Sequence, residues 1–259
     1  MLRFRNSAYI RLSLLIIGIC SPTSGITRPT TAAEAAGELV RLRDFAPRVV
    51  QDIRYATPNN FTGRRVEGYL ASECLVRRRV ALALARTQAE LVRRGFILKV
   101  YDCYRPRRAV QYLLAWAQES AHRDEKSRFF PNVRRGQLVS QGYIAPHSNH
   151  ARGIAVDVTL VQLGAPNVPK PSAGTKSRPC TGPQRLPSPD DGVDMGSEFD
   201  CFDPSSEANS FTATGAQRAR RTLLREVMAR HGFRNYPREW WHFTYRVNPL
   251  PATLDEPVR

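Results

Sequence analysis

His147-Ser148-Asn149-His150-Ala151-Arg152-Gly153-Ile154-Ala155-Val156-Asp157, running on through Val158-Thr159-Leu160, joins a glycine turn to a run of β-forming residues. From Ile154 the side chains alternate, with Ile154, Val156, Val158 and Leu160 on one face and Ala155, Asp157 and Thr159 on the other. One face is therefore apolar, and the other is small and polar with a carboxylate at its middle. Gly153 permits a tight turn, so His150 can fold back toward Asp157. A neutral imidazole and a carboxylate are ordinary ligands of a divalent ion such as zinc. A third ligand must come from elsewhere, and Glu239-Trp240-Trp241-His242-Phe243 near the far end offers one.

Working outward, Asp52 to Thr57 reads as a short strand before the polar loop Pro58 to Gly63. Val76 to Gly95 repeats apolar residues at helical spacing (Val80, Leu84, Leu91), with Gly95 placed to end the helix. Phe96 to Tyr101 is a strand, followed by Asp102. Pro106 opens a helix over roughly Arg107 to Ser120, with Arg105 displayed at the strand-to-helix corner. Residues 122–142 form a polar connector. Residues 164–192, dense in Pro, Gly and Ser, are an irregular insertion. Thr214 to Gly232 is a helix, and Phe233 to Val247 closes the fold as turn plus strand. Helices and strands alternate unevenly, so the expected architecture is α+β: a single domain with a central, partly antiparallel sheet flanked by helices.

The chain has 259 residues, 42% of them hydrophobic, which suits one good-sized domain. Its first 25 residues carry Arg3, Arg5 and Arg11 with no acid, then the short apolar run Leu12 to Cys20, then small residues to Gly25. That is the layout of a secretory signal peptide, and the apolar run is short for a bilayer span. Lipidation of Cys20 is the weaker reading, because bulky Ile19 precedes it. Residues 26–40, rich in Thr and Ala, read as a flexible mature N-terminus, leaving 41–259 as the folded domain that carries the candidate ligands.

Without the leader, 36 basic side chains face 23 acidic ones, a net charge of +13. Outside the cytoplasm the natural counter-charge is an anionic wall or membrane surface, and the alternative is arginine written onto solvated faces. No basic track interleaved with aromatics points to nucleic acid. The exported chain would be expected to sit in the periplasm or outside the cell. Four cysteines then remain, an even number that suggests two disulfides. Of three possible pairings, Cys74–Cys103 and Cys180–Cys201 each close a loop of moderate length. No C-x-x-C pair suggests a cysteine metal site.

Glu239 and His242 are three apart, so they share a side only if the backbone coils between them. Pro237 just before makes a turn there plausible. His242 as a ligand, with Glu239 beside it as the base for an activated water, is what hydrolysis requires. Alone, the fragment fits core aromatics and a hydrogen-bonded core histidine better than it fits a metal site. Paired with His150 and Asp157, the metal reading moves ahead.

The order S-x-H-x-x-G-x-A-x-D, then E-W-W-H, resembles the zinc D-alanyl-D-alanine dipeptidases of the vancomycin-resistance type, within the D-Ala-D-Ala metallopeptidases. Tyr55-Ala56-Thr57 with Asn60-Phe61-Thr62-Gly63, Tyr104 to Val110, and Met195-Gly196-Ser197 with Phe199-Asp200 are similar to that family's segments, in its order. The resemblance spans about Asp52 to Tyr245. It implies one zinc per chain held by His150, Asp157 and His242, with Glu239 as general base. It also implies Arg105 as the oxyanion donor, Tyr55 and Asp200 around the substrate amine, and Ser148 at its carboxylate.

Departures stand beside these. Asn149 occupies a place where relatives often have serine, and the insertion is longer than in compact relatives. His147 falls outside the implied ligand set, and His122 and His231 read as solvated. The expectation is an exported zinc D,D-dipeptidase. A D,D-carboxypeptidase or endopeptidase trimming peptidoglycan stem peptides is the alternative, and a non-catalytic wall-binding module the third reading.

Overall fold

The computed structural model describes residues 38–122, 126–164, 179–181 and 191–259. Its centre is a five-stranded sheet built from Val50–Gln51 (β2), Phe96–Asp102 (β4), Ala155–Gln162 (β5), Phe233–Tyr236 (β6) and Glu239–Tyr245 (β7). The spatial order is β2-β4-β5-β7-β6, with β2 parallel to β4 and every other pairing antiparallel. A second, two-stranded antiparallel sheet pairs Leu39–Arg41 (β1) with Leu75–Arg77 (β3). Helices α1 (Arg78–Arg93), α2 (Arg107–Gln118) and α3 (Gly215–Arg230) complete an α+β arrangement, as the pattern of elements implied.

β5 is central because it can be buried on both sides. Everything from Ala155 to Val161 is inaccessible, including Asp157 and Thr159. The small polar face is thus not a solvent face. β4 and β7 flank it, so its backbone groups are satisfied by two neighbours.

The helices follow from spacing and caps. In α1 the buried positions Val80, Leu84, Gln88 and Leu91 recur every three or four residues and face the sheet. Each fully buried leucine contributes about 2 kcal/mol. Gly95, at φ +81°, ends the helix in the left-handed region. In α3, Thr214 and Gln217 exchange hydrogen bonds as a capping box, and Gly232 at φ +94° closes the other end.

Four expectations need correction. Asp52 to Thr57 is not a strand: pairing stops at Gln51, and Arg54–Ala56 makes a single 3-10 turn. The Asn60 amide donates to the carbonyls of Arg54, Thr57 and Arg64 at 3.3, 2.6 and 2.7 Å, so a side chain satisfies backbone that a ladder would otherwise have to satisfy. Leu39 and Val40, counted to a flexible terminus, belong to β1, where Val40 lies opposite fully buried Val76. His231 is half-buried rather than freely solvated; its Nε2 lies 2.9 Å from Glu90. Phe233 to Val247 is a hairpin of two strands, not one. The proposed leader, residues 26–37 and most of the insertion (165–178 and 182–190) lie outside the described residues.

Candidate active site

One transverse row of the sheet sets the site. Asp157 on β5 lies opposite Asp102 on β4 and opposite His242 on β7, so side chains from three strands point to one side. His150 approaches from the one-turn 3-10 helix His150–Arg152, which Gly153 ends at φ +69°. The left-handed φ favours glycine there, and a Cβ would sit 2.6 Å from Leu39 Cδ2, so that side-chain end would also have to shift.

His150 Nδ1 lies 2.6 Å from the Cys103 carbonyl. A carbonyl only accepts, so Nδ1 carries the proton and Nε2 presents its lone pair. His150 Nε2, His242 Nδ1 and Asp157 Oδ1 then converge, at 3.2 Å between the nitrogens, 3.1 Å from His242 to Asp157 and 3.4 Å from His150 to Asp157. Ligand bonds of about 2.0–2.1 Å in a tetrahedral shell put donor atoms about 3.3 Å apart, so this trio fits such an ion. Burial pushes the Asp157 carboxyl up, but the two imidazoles outweigh it and hold the group ionised below the ordinary carboxylate range.

Glu239 and His242 share the cavity despite their spacing of three. The β6–β7 register slips between Asn235 and Tyr236, so Tyr236 lies opposite Glu239 and Asn235 opposite Phe243. The extra residues of β7 bulge, and the Asn235 amide donates into the bulge, to the carbonyls of Glu239 (3.0 Å), Trp240 (3.4 Å) and His242 (3.0 Å). Trp240 and Trp241 are both buried, with ring planes 89° apart. Core aromatics and a cavity-lining histidine therefore coexist in this segment. The Glu239 carboxylate lies 3.9 Å from His242 Nδ1. Burial, reinforced by Asp157 and opposed by Arg105 and His150, pushes its pKa up to about 8.

Arg105 bonds Asp102 through Nε (2.9 Å) and Nη2 (2.8 Å), with Nη2 3.7 Å from Asp157. Its guanidinium lies over the Tyr55 ring, 4.9 Å from the centroid. Tyr69 donates to Asp102 at 2.6 Å. Asp102 escaped the sequence reading, although an acid ending a strand three residues before the singled-out Arg105 was a usable signal. At the other end of the cavity, Tyr55 donates to both Asp200 oxygens, at 3.1 and 3.3 Å. Burial and Asp157 push the Asp200 carboxyl well above its ordinary range.

Tyr55, Arg105, Ser148, His150, Asp157, Asp200, Glu239 and His242 all line one cavity of about 240 Å³. The sequence reading thus named eight residues that the fold brings to one place. Ser148 Oγ also accepts from His150 N at 3.2 Å. Asn149 and His147 line the cavity too, with His147 outside the converging trio. Both expected disulfides are present, Cys74–Cys103 and Cys180–Cys201. The walls contributed by Phe61, Tyr143, Tyr236 and Trp241 were not anticipated as site residues.

The family model of the D-Ala-D-Ala dipeptidases, peptidase M15, matches residues 35–169 and 188–256. The chain belongs to this family. Members similar to it include a D-alanyl-D-alanine dipeptidase of Streptomyces coelicolor, 34% identical over 223 residues, covering 86% of this chain and 98% of that protein. Another, from Enterococcus faecium, is 34% identical and covers 80% and 92% of the two chains. That of Enterococcus faecalis is 33% identical and covers 78% and 88%. The D-Ala-D-Ala dipeptidase match skips residues 170–187, inside the Pro/Gly-rich insertion, so the insertion is where this member departs from the family pattern. Among the described residues no helix is long and apolar enough to cross a membrane.

Proposed function

We propose that this chain is an exported zinc dipeptidase that hydrolyses D-alanyl-D-alanine, with His150, Asp157 and His242 as the zinc ligands. The observation that carries this reading is the cavity itself. Three convergent donors lie beside an acid that is pushed up to about 8, and a second buried acid, Asp200, closes the opposite end. Two imidazoles, a carboxylate and an open fourth position are a zinc hydrolase's donor set, and zinc bound there would acidify a water toward neutrality and polarise the scissile carbonyl.

The residues divide the remaining work. Glu239 takes a proton from the attacking water on its carboxylate and passes it to the leaving amine. Arg105 spends Nε and Nη2 on Asp102, which fixes the guanidinium plane and leaves Nη1 to donate to the developing oxyanion. Asp200, bonded by Tyr55, meets the substrate ammonium; that positive charge favours the ionised carboxylate that burial opposes. Ser148 serves the substrate carboxylate.

A cavity of about 240 Å³ lies below the ~300–1,000 Å³ of pockets for larger ligands, which favours a dipeptide over a stem peptide. An N-acyl group would remove the ammonium and collide with the Tyr55–Asp200 end. Purified protein should therefore release D-alanine from free D-alanyl-D-alanine and cleave the N-acetylated form at least ~100-fold more slowly. Equal turnover of both would shift the reading to a carboxypeptidase. The leader-like residues 1–25 and the two cystines support export. Protein recovered outside the cytoplasm with its N-terminus near residue 26 tests that half.

A further inference from the structure

The two disulfides are not spread over the surface; each abuts one end of the cavity. Cys103 lies between Asp102 and Tyr104-Arg105, and its carbonyl is the acceptor of His150 Nδ1 at 2.6 Å. The β4–β5 register is irregular between Val100 and Asp102, so the ladder holds this stretch less regularly than the rest of β4. Cys74, its partner, is anchored independently. Its N–H donates to Gln51 Oε1 at 2.8 Å, its carbonyl accepts from Leu42 N at 2.9 Å, and Leu75 beside it accepts from Tyr104 N at 2.8 Å. The cystine thus ties the carbonyl that orients a metal ligand to a second, well-bonded sheet.

At the other end, Cys201 follows Asp200 directly. Asp200 has φ +58°, a left-handed backbone that non-glycine residues rarely adopt, so something must hold it there. Cys180 is anchored in turn: its N–H donates to Arg128 O at 2.9 Å, and its carbonyl accepts from Glu198 N at 3.0 Å. The Cys201 carbonyl accepts from Ser206 Oγ at 2.7 Å. This cystine clamps the turn that aims Asp200 at Tyr55.

We propose that the disulfides are positioning elements with separate tasks: Cys74–Cys103 sets metal affinity through His150, and Cys180–Cys201 sets recognition of the substrate amine through Asp200. This rests on the metallopeptidase reading of the same site and adds what holds its two ends in place. A disulfide acting only as a chain cross-link would lower thermal stability in both cases and separate nothing.

The test compares Cys74→Ser/Cys103→Ser with Cys180→Ser/Cys201→Ser, each checked by far-UV circular dichroism and thermal melting. Zinc affinity of the metal-free proteins is measured by competition with a chromophoric chelator, without substrate. The first variant should bind zinc ~10-fold or more weakly, within the range seen when the partner of a metal-bound histidine is removed. Its cobalt-loaded visible spectrum should shift, and kcat should fall with KM for D-alanyl-D-alanine little changed. The second should keep zinc affinity within about twofold and raise KM ~10-fold or more.

Lowered melting temperatures with unchanged zinc affinity and KM overturn the proposal, as do equal effects of both variants on both quantities. Should the first variant fail to fold, zinc-loaded Cys180→Ser/Cys201→Ser protein is titrated with tris(2-carboxyethyl)phosphine. Zinc release before loss of the dichroism signal supports the assignment, and release only together with unfolding overturns it. A wild-type protein that neither binds nor cleaves the dipeptide removes the function reading and the amine-end half with it. The metal half is still decided by zinc affinity alone.

Discussion

Glu239 shows how the surroundings tune one side chain. Enclosure in the cavity and the negative Asp157 raise its carboxyl to about 8. A bound cation adjacent to it favours the charged form and brings that value down. The carboxylate is the working form of a base, so kcat/KM should rise with pH through an acid limb whose midpoint lies below 8. Glu239→Gln should bind zinc normally yet lose about 10²–10⁴-fold or more in kcat, and should lose that acid limb. Full turnover by the Glu239→Gln variant would remove the general-base role. Asp102 is a residue-scale lesson of another kind: fully buried, with Tyr69 and Arg105 bonded to it, it holds the arginine side chain in place.

At the scale of the element, β7 is the strand that had to deform. A regular strand would send Glu239 and His242 to opposite faces, because side chains alternate. The bulge reconciles them, and Asn235 of β6 holds it by donating to three of its carbonyls. Asn235→Ala leaves those acceptors without their donor and frees the bulge to slip. The expected result is a kcat lowered ~10-fold or more and weakened zinc binding, with helix content by circular dichroism unchanged. A variant with native kcat and native zinc affinity would show that the backbone holds the bulge unaided. The helices needed no such device. Their apolar spacing and their stops at Gly95 and Gly232 are local chemistry, readable along the chain.

For the molecule as a whole, one cluster staples distant parts. Glu90 of α1 receives Arg94, just past the end of its own helix, and Arg230 and His231 from where α3 ends. These partners, Arg230 foremost, hold the Glu90 carboxyl down at about 2. A carboxyl depressed on folding contributes stability that is fully present above its unfolded pKa of about 4.3 and is lost as pH falls through its folded value. Melting temperature should therefore fall between about pH 4.5 and 2, and Glu90→Gln should flatten that part of the curve while lowering the melting temperature at pH 7. An unchanged acid limb in the variant would assign the loss to other carboxylates. The sequence reading left His231 in solvent because its partner lies 141 positions away, where no local pattern reports it.

The chain written out in a line determined whatever depends on neighbours. The alternation through β5, the glycine turn at Gly153, the helix ends and the kinds of side chain able to hold an ion are all short-range facts. The resemblance of ordered motifs then implied which distant pieces act together. Tertiary structure alone decided what depends on register and burial. It aligned Asp102, Asp157 and His242 across three strands, covered the polar face of β5, and recruited Leu39 and Val40 into a sheet. It also bent β7 around Asn235. The physical reason is that pairing register is a long-range choice: Asp157 and His242 meet across 85 residues, and only the folded sheet sets which residues face each other.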